Sequence, residues 1–337
     1  MVKMLIFDLK DSEKDFFKND FYTDFDITFF KESLNEETKL TINECDETVI
    51  LCVYSTSKVT HKVLEKFKNL RVIALRSNNY DNIDIPVCRD RNIAVMNVSE
   101  NENNSIAQYV IGTIFSMTRN LISASIDFKD KIKNYEQYEG RDINNLKLGV
   151  IGTGKIGSSV CKLANQLGMK IFANDYIINR DLTDFVEYLP LIEVLRLSDV
   201  ISIHIPYNKD FHHLISYKEF EIMKDGSYII NTSHGKLINT MALYKAIQTG
   251  KLNGAALDVL ECGNLYMNLQ NFYETHKGLK YDCLKTLLVI QELIKSPKVI
   301  ITPHISYNTK DSAQKILKLT FNNIKDYYKG LHTNRIV

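Results

Sequence analysis

The chain has 337 residues, 45% of them hydrophobic and 25% charged, an ordinary composition for a globular protein long enough for two domains. Its net charge of +1 argues against a nucleic-acid or membrane partner held by bulk electrostatics. The six cysteines (45, 52, 88, 161, 262, 283) form no CxxC pair and mostly lie in apolar runs, so they read as reduced thiols of a cytoplasmic protein, with no metal site expected. The N-terminus MVKMLIFDLKD reads as a short strand followed by charge, too brief and too acidic for a signal peptide, and no apolar run approaches a membrane span.

Over the first hundred residues apolar runs predict strands at Met4–Phe7, Asp26–Phe30, Val49–Tyr54, Val72–Leu75 and Ala94–Asn97. Segments with helical spacing lie between them, such as Lys58–Asn69. A polar break at Asn101–Ser105 precedes one long helical pattern from Ile106 to about Ser125, apolar on much of its surface. Further on, strands are expected at Leu148–Ile151, Met169–Ala173, Val200–Ile205, Ser227–Asn231, Ala255–Val259 and Val299–Thr302. Helices are expected at Leu214–Met223, Thr240–Thr249 and Asp311–Tyr328, and Cys262–Ser296 reads as an elaborated loop followed by a helix.

The segment Leu148 to Asp175 carries the chemistry. Gly152-x-Gly154-x-x-Gly157 follows a strand, opens an amphipathic helix, and is followed eighteen residues later by Asp175 at the end of a second strand. Gly152 allows the tight turn, Gly154 lets a pyrophosphate approach the backbone, and Gly157 lets helix and strand pack closely. The helix N-terminus offers free N–H groups to the phosphates. Asp175 would accept hydrogen bonds from the adenine ribose and repel a 2′-phosphate, so NAD is favoured over NADP.

Four later fragments stand in order: DVISIHIP (Asp199–Pro206), FEIMKDGSYIINTSHG (Phe220–Gly235), GKLNGAALDVLE (Gly250–Glu261) and VIITPHISYNT (Val299–Thr309). Together these resemble the D-isomer-specific 2-hydroxyacid dehydrogenases over essentially the whole chain, most of all the D-lactate dehydrogenase branch that includes the vancomycin-resistance type. The resemblance implies an α/β protein of two Rossmann-like parallel-sheet domains. One is a flavodoxin-like substrate domain, residues 1–102 plus 304–337, and the other a NAD-binding domain, residues 103–303. It implies hydride transfer between NADH and a pyruvate-like 2-keto acid, with His304 as acid/base. It implies cofactor contacts at Gly152, Gly154, Lys155, Ile156, Gly157, Asp175, Ile205, Pro206, Thr232, Ser233 and Asp258, and substrate contacts at Ser77, Asn78, Asn79 and Asn101. His204 reads as structural or cofactor-contacting, and His212 and His213 as supporting or solvated. The helix from Ile106 suits a homodimer contact, as in the family.

Three places depart from the family pattern. His234 stands where the family carries the arginine that grips the substrate carboxylate with two parallel hydrogen bonds. A histidine offers one donor there, and at an ordinary pKa of ~6.5 it is only roughly a quarter protonated at pH 7. Gly263 stands where a second acid would partner the catalytic histidine, and Glu261, two residues earlier, could serve only if the backbone shifts. In the substrate half, Asn79 replaces a glycine of the carboxylate-cradling turn, Asn101 replaces an aromatic residue, and Glu102 adds an acid. Three readings follow: an ordinary dehydrogenase with His234 standing in for arginine, one acting on an altered substrate, or a NAD-binding homologue without catalysis that serves as sensor or scaffold.

Overall fold

The computed structural model describes residues 1–18, 24–77, 80–98, 103–129, 136–263 and 281–337. Two compact units divide the chain, one formed by residues 1–101 and 308–337, the other by 102–307.

The first unit holds a parallel sheet of β1 (Val2–Ile6), β2 (Phe25–Phe29), β3 (Ile50–Val53), β4 (Val72–Leu75) and β5 (Ala94–Met96), in the order β2-β1-β3-β4-β5. That is the flavodoxin-like doubly wound order. Strands buried on both faces need continuous apolar runs, and ILCV and VIAL supply them. One face packs Leu51, Val53, Ile73 and Leu75 against Val63, Leu64 and Phe67. The other packs Ile50, Cys52, Val72 and Ala74 against Phe321 and Ile324 of the C-terminal helix Lys310–Tyr328, which is how the chain end returns to the first sheet.

The second unit is a seven-stranded parallel sheet of β6 (Lys147–Ile151), β7 (Lys170–Asn174), β8 (Val186–Tyr188), β9 (Val200–Ile203), β10 (Ser227–Asn231), β11 (Leu252–Leu257) and β12 (Val299–Ile301). Its order is β12-β11-β10-β9-β6-β7-β8. Strand order reverses between β6 and β9, so the crevice at their carboxyl ends is the topological switch point where doubly wound sheets bind ligands. Leu148 and Val150 of β6 join the core beneath the helices Asn103–Thr118 and Lys155–Gln166, while Ile151 joins the core on the opposite face.

Three expectations are corrected. The long helix expected from Ile106 is two helices, Asn103–Thr118 and Leu121–Lys129, because Asn120 takes a left-handed conformation (φ 51°) that ends the first. The strand expected at Ala255 begins at Leu252, because Leu252 and Gly254 pair with Ser227 and Tyr228 of β10 across a register shift that skips Asn253. A side chain at Gly254 would meet the Lys298 carbonyl, so glycine here marks a close approach within the sheet. Cys262 and Cys283, read as thiols, form a disulfide, their Cα atoms lying 6.2 Å apart within bridging range. The elaborated loop after Cys262 lies mostly outside the described residues, and the helix after it spans Tyr281–Lys295. Strand β8 and the helix Leu191–Leu197 carried too few residues to be read from periodicity.

Candidate active site

All strands of the second sheet run parallel, so the segments that follow them emerge on one edge. The glycine turn follows β6, Asp175 follows β7, and His204 to Pro206 follow β9. Thr232 to His234 follow β10, Asp258 to Glu261 follow β11, and His304 follows β12.

Gly152 sits at φ 91°, and a Cβ there would meet the His204 carbonyl at 2.6 Å. A Cβ at Gly157 would collide with the Gly152 carbonyl oxygen, so no other residue fits at the start of the helix Lys155–Gln166. Around Gly154 nothing lies within 4 Å of a built Cβ, which leaves the backbone open to a phosphate. Lys155 is exposed and Ile156 partly packed against the core beside it. Asp175 Oδ2 accepts from the Thr153 amide at 2.5 Å and the Thr153 hydroxyl at 3.0 Å, and Oδ1 accepts from the Ile177 amide at 3.1 Å. These bonds hold the half-buried carboxylate beside the glycine turn with lone pairs left for a ribose. His204 Nδ1 and Thr232 Oγ1 are buried without a hydrogen-bond partner among the described residues, at the ends of β9 and β10. Open backbone, a positioned acid and two unanswered polar atoms on one edge fit a dinucleotide. Ile205 is half-buried and Pro206 exposed on the same edge. Ser233 donates its hydroxyl to the Ile203 carbonyl at 2.7 Å and so ties the β10 end to the β9 end.

Burial pushes the His204 imidazole down to about 3. Its Nε2 lies 2.8 Å from the Ser202 hydroxyl, and the ring is neutral in the fold. An unfolded histidine takes its proton near pH ~6.5. The stability tied to neutral His204 is therefore complete above that pH and is lost as pH falls toward 3, at up to about 1.4 kcal/mol per pH unit. Urea midpoints measured between pH 7 and 4 should fall more steeply for the wild type than for His204→Gln, and parallel curves would refute this assignment.

His304 is exposed and takes a left-handed backbone conformation at φ 55°. Asp258, 2% exposed, holds it there. The Asp258 carboxylate accepts from the Thr302 hydroxyl at 2.6 Å and from the amides of Ile305 and Ser306 at 2.8 Å each, while its carbonyl accepts the His304 amide at 3.1 Å. Because the Thr302 hydroxyl donates to Asp258, it must accept from Tyr109, 2.5 Å away, and burial raises the Tyr109 phenol so that it keeps its proton. This chain keeps residues up to Tyr307 with the second unit, His304 included.

His234 stacks on Tyr207 with ring centroids 4.5 Å apart, and its Nδ1 accepts the Lys236 amide at 3.2 Å. Asn231 shapes the turn, donating to the His234 carbonyl and accepting from the Ser233 amide. Burial, then the charges of Lys236 and His304, holds the His234 imidazole below its usual value.

Glu261 does not face His304 as a bonded partner. Its Oε1 lies 2.8 Å from His213 Nε2, and its Oε2 accepts the Thr240 hydroxyl at 2.8 Å. His213 Nδ1 lies 3.1 Å from the Asn239 amide nitrogen, a donor because Asn239 Oδ1 already accepts from Ala242. His213 therefore carries its hydrogen on Nε2 and gives it to Glu261. His212, His213 and Glu261 bring ligand atoms within 4.8 Å of one another. A metal would need the His213 Nε2 lone pair while Nδ1 also stays unprotonated, and the two imidazoles are stacked face to face at 3.9 Å, so the cluster is built for hydrogen bonding.

In the first unit Ser77 is buried at the end of β4, whereas Asn78, Asn79, Asn101 and Glu102 lie outside the described residues. Sequence reading missed Tyr109, Tyr207, Lys236 and the partnership of His213 with Glu261. The HH pair was visible, but its acid lies 48 residues away, and only sheet order joins them.

Residues 111–306 match the family model of the D-isomer specific 2-hydroxyacid dehydrogenase NAD binding domain. The chain is 32% identical over 290 residues to a D-specific alpha-keto acid dehydrogenase of Enterococcus faecium, covering 85% of this chain and 83% of that one. It is 30% identical to 2-hydroxyacid dehydrogenase homolog 1 of Schizosaccharomyces pombe, covering 90% and 89%. Among solved structures, the D-lactate dehydrogenase of Aquifex aeolicus complexed with NAD and lactic acid superposes with a TM-score of 0.77 at 32% identity, covering 99% of both chains. A doubly wound NAD-binding sheet with a positioned histidine at its carboxyl edge defines a nicotinamide-dependent oxidoreductase. The chain belongs to the D-isomer specific 2-hydroxyacid dehydrogenase family.

Proposed function

We propose that this protein reduces a small 2-keto acid to the D-2-hydroxy acid with NADH, and runs the reverse reaction with NAD. The observation that carries this reading is His304, an exposed imidazole fixed by buried Asp258 on the edge that carries the glycine turn and Asp175. Bound NADH supplies the hydride. His304 supplies the proton to the carbonyl oxygen as it becomes an alkoxide, and recovers that proton in the oxidation direction. His234 meets the substrate as a neutral donor. Asp258 acts through the backbone of the His304 turn, and Glu261 acts through His213. We assign Gly152, Gly154, Lys155, Ile156, Gly157, Asp175, Ile205, Pro206, Thr232 and Ser233 to the cofactor. Ser77, Asn78, Asn79 and Asn101 are assigned to the substrate from the family pattern, and the unit of residues 1–101 and 308–337 to substrate binding.

We place the protein in the cytoplasm as a homodimer. The apolar side chains Leu121, Ile122, Ile126 and Phe128, exposed on the helix Leu121–Lys129, support the dimer. Four unpaired cysteines, three of them buried, support the reducing compartment, against which the Cys262–Cys283 disulfide stands. A NAD-binding homologue without turnover is the second reading, favoured by the lack of any carboxylate bonded to the His304 ring among the described residues.

Titration with NADH followed by a panel of 2-keto acids, read at the NADH absorbance band, tests the proposal. NADH binding with consumption by at least one keto acid is the expected result. NADH binding without consumption across the panel would replace the proposal with the second reading.

A further inference from the structure

We infer that Lys236 and His234 together hold the substrate carboxylate, Lys236 Nζ as the cation and His234 Nε2–H as a neutral second donor, in place of a single arginine. The inference rests on the 2-keto acid reading above and names the groups that meet its anion.

The backbone sets the protonation of His234. The Lys236 backbone N–H donates to Nδ1, so the ring hydrogen sits on Nε2. A proton added at Nδ1 would set two N–H groups against each other and break the bond that caps the turn Gly235–Leu237. The same bond fixes which ring atom faces outward, and the stacked Tyr207 fixes the ring plane. His234 is therefore a directed donor without charge, and the positive charge an anionic substrate needs must come from elsewhere.

Lys236 supplies that charge. Its Nζ lies 5.7 Å from the centroid of the Tyr207 ring, the same ring on which His234 stacks. The lysine that caps His234 through its backbone thus folds its ammonium back over the aromatic support of His234. After burial, its charge and then that of His304 help hold the His234 imidazole below its usual value.

Among the described residues Lys236 has no carboxylate partner. Glu261 is bonded to His213 and Thr240, and Asp258 is buried beneath three donors. Position 263, where the family pattern places a second acid, is glycine. Arg76, a cation of the first unit, is bonded to Glu13 and to two backbone carbonyls. An ammonium with no carboxylate partner among the described residues, held against the same Tyr207 ring as a neutral imidazole donor, is complementary to a carboxylate, one oxygen to each. Unlike an arginine fork, the two donors sit on separate side chains, and the lysine end is flexible.

The experiment uses the full chain saturated with NADH and oxamate, an unreactive planar anion with the shape of pyruvate, titrated by calorimetry for the wild type, Lys236→Met and Lys236→Arg. Turnover is followed separately over the keto-acid panel. Lys236→Met should weaken oxamate binding roughly tenfold or more, and raise KM more than it lowers kcat, while NADH binding is unchanged. Lys236→Arg should recover most of the loss. Equal oxamate affinity in wild type and Lys236→Met, or no oxamate binding by the wild-type NADH complex, would overturn the inference. Lysine-dependent oxamate binding without turnover of any keto acid would uphold this pair of residues and overturn the dehydrogenase reading alone.

Discussion

Replacing His304 with glutamine is expected to lower kcat for keto-acid reduction by about 10²- to 10⁴-fold, the range for loss of a positioned general acid, with NADH affinity unchanged. Glutamine keeps a hydrogen-bond donor but has no proton to transfer, so the loss reads proton delivery and not fit. The Asp258 turn gives the result its structural meaning. Three donors converge on one buried carboxylate, and two of them are the amides of Ile305 and Ser306, directly after His304. That clamp stabilises the left-handed backbone at His304, a conformation costly for a residue with a side chain, and thereby aims the imidazole. Asp258→Asn, which keeps the shape but offers fewer acceptors, should lower kcat while sparing the KM for NADH. Steady-state kinetics with NADH and the best keto acid of the panel decides the matter. Full activity in His304→Gln would remove the proton-donor role from this residue.

Glu13→Ala is expected to destabilise the first unit by about 3–5 kcal/mol, the cost of leaving a buried charge without its partner. Arg76 is 1% exposed and Glu13 6% exposed. One guanidinium nitrogen donates to both Glu13 carboxylate oxygens at 3.1 and 3.0 Å, and the other donates to the carbonyls of Phe7 and Asp8. Arg76 follows β4 directly and so bridges the ends of β1 and β4. Removing Glu13 strands the guanidinium, whereas the double change Glu13→Leu with Arg76→Met removes both charges and should recover most of the loss. Urea unfolding of the wild type, the single variant and the double variant measures this directly. A loss under about 1 kcal/mol for Glu13→Ala would show that water reaches the guanidinium and that the pair behaves as a surface ion pair.

The glycine turn was legible because its requirements are local: a strand, a left-handed or side-chain-free backbone at fixed offsets, and a helix start all lie within a few residues. Asp175 was legible because it ends the next strand. Strands such as Ser227–Asn231 and Val72–Leu75 were legible because burial on both faces forces an apolar run of the right length. The break at Asn120 was not, since the apolar pattern runs through it and the left-handed turn depends on one backbone angle. The short edge strand β8 offered three residues, too few for a period.

The sequence alone determined the fold class, the cofactor turn and the family, because each rests on short-range patterns of backbone freedom and hydrophobicity. It also exposed the missing arginine and the missing acid. Only the tertiary structure decided what surrounds those gaps. Tyr109 reaches Thr302 across 193 residues, Glu261 turns to His213, and Cys262 pairs with Cys283. Lys236 and His234 both lie against the ring of Tyr207. These pairings depend on which strand ends the sheet sets side by side, and strand order is a property of the whole packed chain that no local period encodes.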